Sequence, residues 1–133
     1  MQRIIAMGRW VFVLPFAFFG LLHFGPLEFS LPYVPAYLPA PVIWVYFTGA
    51  CLLAFVLSAV LGKYDKLAAV LLATMLALFV VLVHVPAAMN GDFVALIGSF
   101  RDLAMAGAAL MYADQYAKDG SFLTKPVAKA VQH

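Results

Sequence analysis

Residues 91–115 read GDFVALIGSFRDLAMAGAALMYADQ, an apolar helical stretch with two adjacent charges, Arg101 and Asp102, set inside it. A membrane-crossing helix needs about 20 predominantly apolar residues. From about Phe93 to Ala113 this segment qualifies, apart from that pair. A charge at mid-bilayer costs on the order of 2.5–3.5 kcal/mol even on the lenient insertion scale. Both side chains are therefore expected to face the interior of a helical bundle. Adjacent helical positions project about 100° apart and do not face each other, so each charge is expected to find its partner on another helix.

The rest of the chain supports a membrane setting. Of 133 residues, 66% are hydrophobic and 11% charged, and the mean hydropathy is +1.02. Soluble domains average about 45–50% apolar and about 25% charged. A domain this small leaves too much surface exposed to hide such a composition from water. The net charge of +2, with no basic run outside the chain ends, gives no footprint for nucleic acid. The single cysteine, Cys51, lies in the apolar run TGACLLAF. It excludes an intrachain disulfide and a CxxC motif and reads as a small packing residue. The opening MQRIIAMGRW has a positive flank, but the apolar run outlasts a signal-peptide core and lacks a small-residue cleavage site. It reads as a retained first span.

Four spans are expected, at about 5–25, 41–62, 67–89 and 93–113. Pro32, Pro35, Pro39 and Pro41 crowd residues 29–41, and proline removes a donor and restrains its predecessor. The second span therefore starts at Pro41, a favourable first-turn position. The links GKYDK and NGD are short, which makes sequential helices antiparallel. The fold class is all-α, an integral membrane four-helix up-and-down bundle, with 116–133 a short polar tail, partly frayed. Of the eight Lys and Arg residues, all but Arg101 lie before or in the first turns of span one, between spans two and three, or after span four. The positive-inside rule then makes both termini and the 62–66 loop cytoplasmic. The chain is therefore expected to cross a membrane several times.

With that topology the polar residues gather in the outer half. At about 1.5 Å per residue, His84 lies roughly 10 Å below the NGD turn, and Arg101 and Asp102 roughly 14–17 Å. His23 sits near the outer end of span one, with Tyr46 and Thr48 in the outer half of span two. His84 or His23 is expected to donate to Asp102. Tyr46, Thr48 or a freed carbonyl is expected to accept from Arg101. Pro86 releases the carbonyl of residue 82 and can bend span three beside His84. Gly98, Ala104, Gly107 and Ala108 let neighbours approach span four closely. Such a cluster either pins helices together or binds a ligand and handles protons. His23, His84 and Asp102 are ligand types a metal accepts, but their spacing does not require one, and no metal is expected.

The stretch PLEFSLPYVPAYLPAP, residues 26–41, is too apolar for a solvated loop and too rich in proline for a helix. Phe29, Tyr33 and Tyr37 suit the aromatic belt of a membrane interface. The loop reads either as an interfacial segment tucked over the bundle or as a lid over the polar pocket.

The run FGLLHFGPLEFSLPYVPAYLPAPVIWVYFTGACLLA joins a Gly-x-x-His-Phe end of span one, a Val-Pro-x-Tyr-Leu-Pro loop and an early Thr-Gly in span two. With the RDLAMAGAALMYA helix it resembles the DoxX-like family of small four-span bacterial membrane proteins, over residues 8–115. The resemblance implies a redox-associated accessory role, linked in relatives to thiosulfate:quinone oxidoreduction, thiol redox stress or methylamine utilisation. It singles out the Gly20–His23–Phe24 turn, the Pro35–Tyr37–Pro39 loop and the polar position on span four, and it supplies no catalytic residue. Without a thiol pair, sulfur chemistry would need a partner redox protein.

Two functions follow. One is a quinone-binding subunit, with His23, His84, Arg101 and Asp102 offering hydrogen bonds and a proton route to the headgroup. The other is a non-catalytic scaffold or lipid-binding component. An independent enzyme is not expected, since no nucleophile–base pair or phosphate loop is visible. Four spans are few for a transporter unless copies associate, so a homo-oligomer is consistent with the chain.

Overall fold

The computed structural model describes residues 1–123 and is all-helical, without a strand among those residues. The helices are α1 (Gln2–Leu22), α2 (Pro41–Leu61), α3 (Asp65–Phe79), α4 (Val85–Met89) and α5 (Phe93–Gln115). A π-helical turn, Val80–His84, joins α3 to α4, so Asp65–Met89 is one continuous span. Among the described residues four such helices are long and apolar enough to cross a membrane. The first begins at Gln2, earlier than the expected Ile5, and takes Arg3 and Arg9 into the helix.

The boundaries have local causes. Pro41 occupies the first turn of α2, after Ala40 in the left-handed region at φ 52°. Gly62 closes α2 at φ 64°, where its N–H donates to the Ser58 carbonyl at 2.8 Å, the cap geometry that favours glycine. The Asp92 side chain caps α5, accepting from the Ala95 N–H at 3.0 Å, as short acidic caps do. The proline-rich segment forms no long helix, only two 3-10 turns at Leu27–Phe29 and Leu31–Tyr33.

Packing follows chain order: α1 lies on α2, α2 on α3, and the third span on α5. The core centres on Phe55, whose ring meets Phe16 edge-on at 5.5 Å and Tyr112 at 5.8 Å. Around it Ala69 and Ala73 of α3 and Ala106, Ala109 and Ala113 of α5 are buried, the small-residue contact that brings apolar helices close. Gly20 and Gly49 serve α1 and α2 the same way. A Cβ on Gly49 would stand 2.6 Å from His23 Cβ and 3.0 Å from the Gly20 carbonyl oxygen.

The outside is oily. Phe18, Ile43, Phe47, Leu71, Val81 and Phe100 are each more than half exposed. Soluble monomers rarely expose contiguous apolar patches beyond a few hundred Å². This surface covers all four long helices, and it suggests a multi-pass membrane protein.

Candidate functional site

The third span positions His84. Pro86 has no N–H to give the Leu82 carbonyl, and the helix widens into the π turn that ends at His84. Single-turn π bulges recur at functional sites. The wider turn brings the His84 ring against α5, where only a glycine leaves room. A Cβ at Gly98 would lie 3.0 Å from both Cε1 and Nδ1 of His84.

Nε2 of His84 meets Oδ2 of Asp102 at 2.9 Å, and Nε of Arg101 donates to Oδ1 at 2.9 Å. Because a carboxylate only accepts, the His84 proton sits on Nε2. The side chain of Asp102 is 3% exposed, that of His84 15% and that of Arg101 61%. The buried carboxyl of Asp102 is thus met by a largely buried imidazole and by a guanidinium that reaches outward.

Two details differ from the sequence-based expectation. Arg101 pairs with its own neighbour, because its long chain folds back far enough to offset the 100° between the two Cβ directions. It also faces outward, since one bond to the buried carboxylate anchors the head while the remaining donors stay accessible. Arg101 shares a helical stripe with Met105, Ala108 and Tyr112, at spacings of four, seven and eleven. Ala108 and Tyr112 line the seam with α1.

His23, Tyr46 and Thr48 stand apart from the cluster. Nδ1 of His23 bonds the Phe19 carbonyl at 2.7 Å, one turn back on its own helix. Tyr46 stacks on Phe24 at 5.6 Å with an interplanar angle of 14°. Thr48 is buried on α2 beside Gly49. None of the three is a partner of Arg101 or Asp102, whose hydrogen bonds run to each other and to His84. Among the described residues no three His, Cys, Asp or Glu side chains converge as a metal site.

The proline-rich loop is tied down at two points. The Tyr37 hydroxyl donates to the Leu82 carbonyl, the acceptor that Pro86 leaves free, and Trp44 Nε1 donates to the Pro39 carbonyl at 2.8 Å. Tyr37 therefore anchors the loop two residues from His84. Phe29 and Tyr33 lie largely exposed at the surface. On the other flank of the His84–Asp102 contact, Val80, Val85, Leu96, Ser99, Phe100 and Leu103 line an apolar groove of about 400 Å³.

A second polar centre, at the opposite end of the bundle, escaped the sequence reading. Asp65, expected in a loop, is the first residue of α3 and only 1% exposed. Its carboxylate accepts from the N–H groups of Lys66 at 3.0 Å, Lys118 at 2.9 Å and Asp119 at 2.8 Å. In return Asp119 accepts from the Tyr64 N–H at 2.9 Å and from the Ser121 hydroxyl at 2.6 Å. The Ser121 and Tyr64 hydrogen bonds hold the Asp119 carboxyl below its ordinary range. The start of the expected frayed tail is thus clasped, while residues 124–133 lie outside the described residues. An acidic residue in a helix's first turn was the available signal.

Comparison with known proteins finds no matching family model, no matching curated protein and no matching solved structure.

Proposed function

We propose that the chain is a DoxX-like accessory protein of the bacterial inner membrane that binds the headgroup of a membrane-soluble quinone at Arg101. The basic residues put both termini and the 62–66 turn on the cytoplasmic side, and His84, Asp102 and Arg101 in the outer half. The supporting observation is the pairing of a 3% exposed carboxylate with a 61% exposed guanidinium. Asp102 holds Nε of Arg101 while the rest of the exposed head stays open to the surroundings of the bundle. A quinone carbonyl is an acceptor that suits its remaining donors. His84, bonded to the same carboxylate at 2.9 Å, completes the polar cluster behind the guanidinium. Electrons come from a partner redox protein, because this chain has one cysteine and no thiol pair.

Protein extracted in mild detergent is expected to carry quinone detectable by mass spectrometry. Arg101→Ala should lower its content about ten-fold, equivalent to about 1.4 kcal/mol of lost contact. Asp102→Asn, which frees the guanidinium, should lower it as well. Unchanged quinone in both variants defeats the reading.

One observation favours the alternative of a structural pin in a lipid-binding or scaffolding protein. Both Asp102 oxygens already have partners within the chain. On that reading Asp102→Asn lowers the melting temperature and leaves bound small molecules unchanged.

A further inference from the structure

The inner ends of α1 and α5 do not close on each other. Gly8, Arg9 and Phe12 of α1 and Ala108, Met111 and Tyr112 of α5 line a sideways-open groove of about 140 Å³. Its walls are apolar, and Met111 among them is 68% exposed, so the groove is continuous with the oily outer surface. Arg9 stands at one end with its guanidinium carbon 4.8 Å from the Trp10 ring centre.

That guanidinium has no acidic partner among the described residues. The carboxylates at this end are engaged elsewhere. Asp65 and Asp119 accept from the backbone of the clasp, and Asp114 accepts from the Gln115 amide. Arg9 is also not deep: it shares the groove with Tyr112, in the last turn of α5. At that level an arginine can snorkel to the headgroups while its stem stays among apolar side chains.

We propose that this groove holds an acyl chain of an anionic phospholipid whose phosphate pairs with Arg9. The fit is one of charge and shape: an uncompensated cation at the interface end, and a narrow apolar slot leading from it into the bilayer. Arginine is suited to phosphate because its planar fork bonds two oxygens at once. The proposal rests on the membrane-spanning reading and is independent of the quinone.

Gly8 provides the test. Gly8 lines the groove and a Cβ there meets nothing within 4 Å, so Gly8→Leu puts its side chain into open space at the slot and also favours the helix. The full chain is placed in nanodiscs of equal phosphatidylglycerol and phosphatidylcholine, extracted in mild detergent and weighed by native mass spectrometry. Wild type and Lys63→Gln should retain phosphatidylglycerol in preference to phosphatidylcholine. Arg9→Gln should lower that retention about five-fold, the factor matching about 1 kcal/mol for a basic side chain at an anionic surface. Gly8→Leu should remove it with the melting temperature held or raised. Equal retention of the two lipids, retention unchanged in both variants, or cross-links showing a second copy seated in the groove would overturn the proposal. None of these results bears on quinone content, which is read at Arg101.

Discussion

At Gly98 a missing methyl group decides whether the buried ion pair can form. An alanine Cβ would press on the His84 ring at 3.0 Å, and a ring that shifts away lengthens its 2.9 Å contact with Asp102. Gly98→Ala gains helix propensity of up to about 1 kcal/mol but overpacks the contact, which typically costs about 1–3 kcal/mol. A Cβ added at Gly107, further along the same helix, would meet nothing within 4 Å, so its alanine variant keeps the propensity gain alone. Thermal unfolding in detergent should place Gly98→Ala below wild type and Gly107→Ala at or above it. The reverse order would mean that the ring does not depend on that space. From charge and depth the sequence offered His84 or His23 as the partner of Asp102, and the bond to His84 is the one that forms. It could not reveal the Arg101 bond, because position angles ignore how far a long side chain can fold back.

The third span shows how one proline shapes an element. Pro86 withholds the N–H that would have served Leu82, and the Tyr37 hydroxyl takes that carbonyl instead. Loss of this bond in Tyr37→Phe should cost about 1 kcal/mol, the usual net worth of a neutral hydrogen bond, and should raise protease sensitivity of the 26–41 loop. In a Pro86→Ala background the helix supplies its own donor, so the same Tyr37→Phe change should cost less. A double-mutant cycle measures the coupling; additive losses would separate the latch from the proline. The freed carbonyl was legible in the sequence, since the i−4 rule needs only residue numbers. Which tyrosine would claim it was not, because that depends on how the loop lies across the bundle.

For the molecule as a whole, the reciprocal clasp of Asp65 and Asp119 joins the start of α3 to the segment after α5. Hydrogen bonds that lower the Asp119 carboxyl pKa in the folded state stabilise the clasp at pH values above the ordinary carboxylate range, about 3.9. That contribution fades as pH falls through the still lower folded value. Amide exchange at Tyr64, whose N–H donates to Asp119, should therefore be protected at neutral pH, beyond the intrinsic slowing on acidification, and lose protection in acid. Asp119→Asn should weaken that protection at neutral pH and flatten its pH dependence. Identical protection profiles in the two proteins would show that the carboxylate does not hold the turn.

Composition and spacing by themselves determined that the chain makes four long apolar helices. Hydrophobic length, proline placement and glycine punctuation act locally and need no partner to be read. They also ranked the intramembrane charges as the unusual residues. Tertiary structure alone decided that His84 and not His23 meets Asp102, that Arg101 turns outward, and that Asp65 is buried. Those outcomes depend on which helices touch and on what a neighbouring backbone offers as donor or acceptor. The His84–Asp102 contact spans 18 positions and the Asp65 contacts with Lys118 and Asp119 more than 50, separations at which periodicity along the chain carries no information.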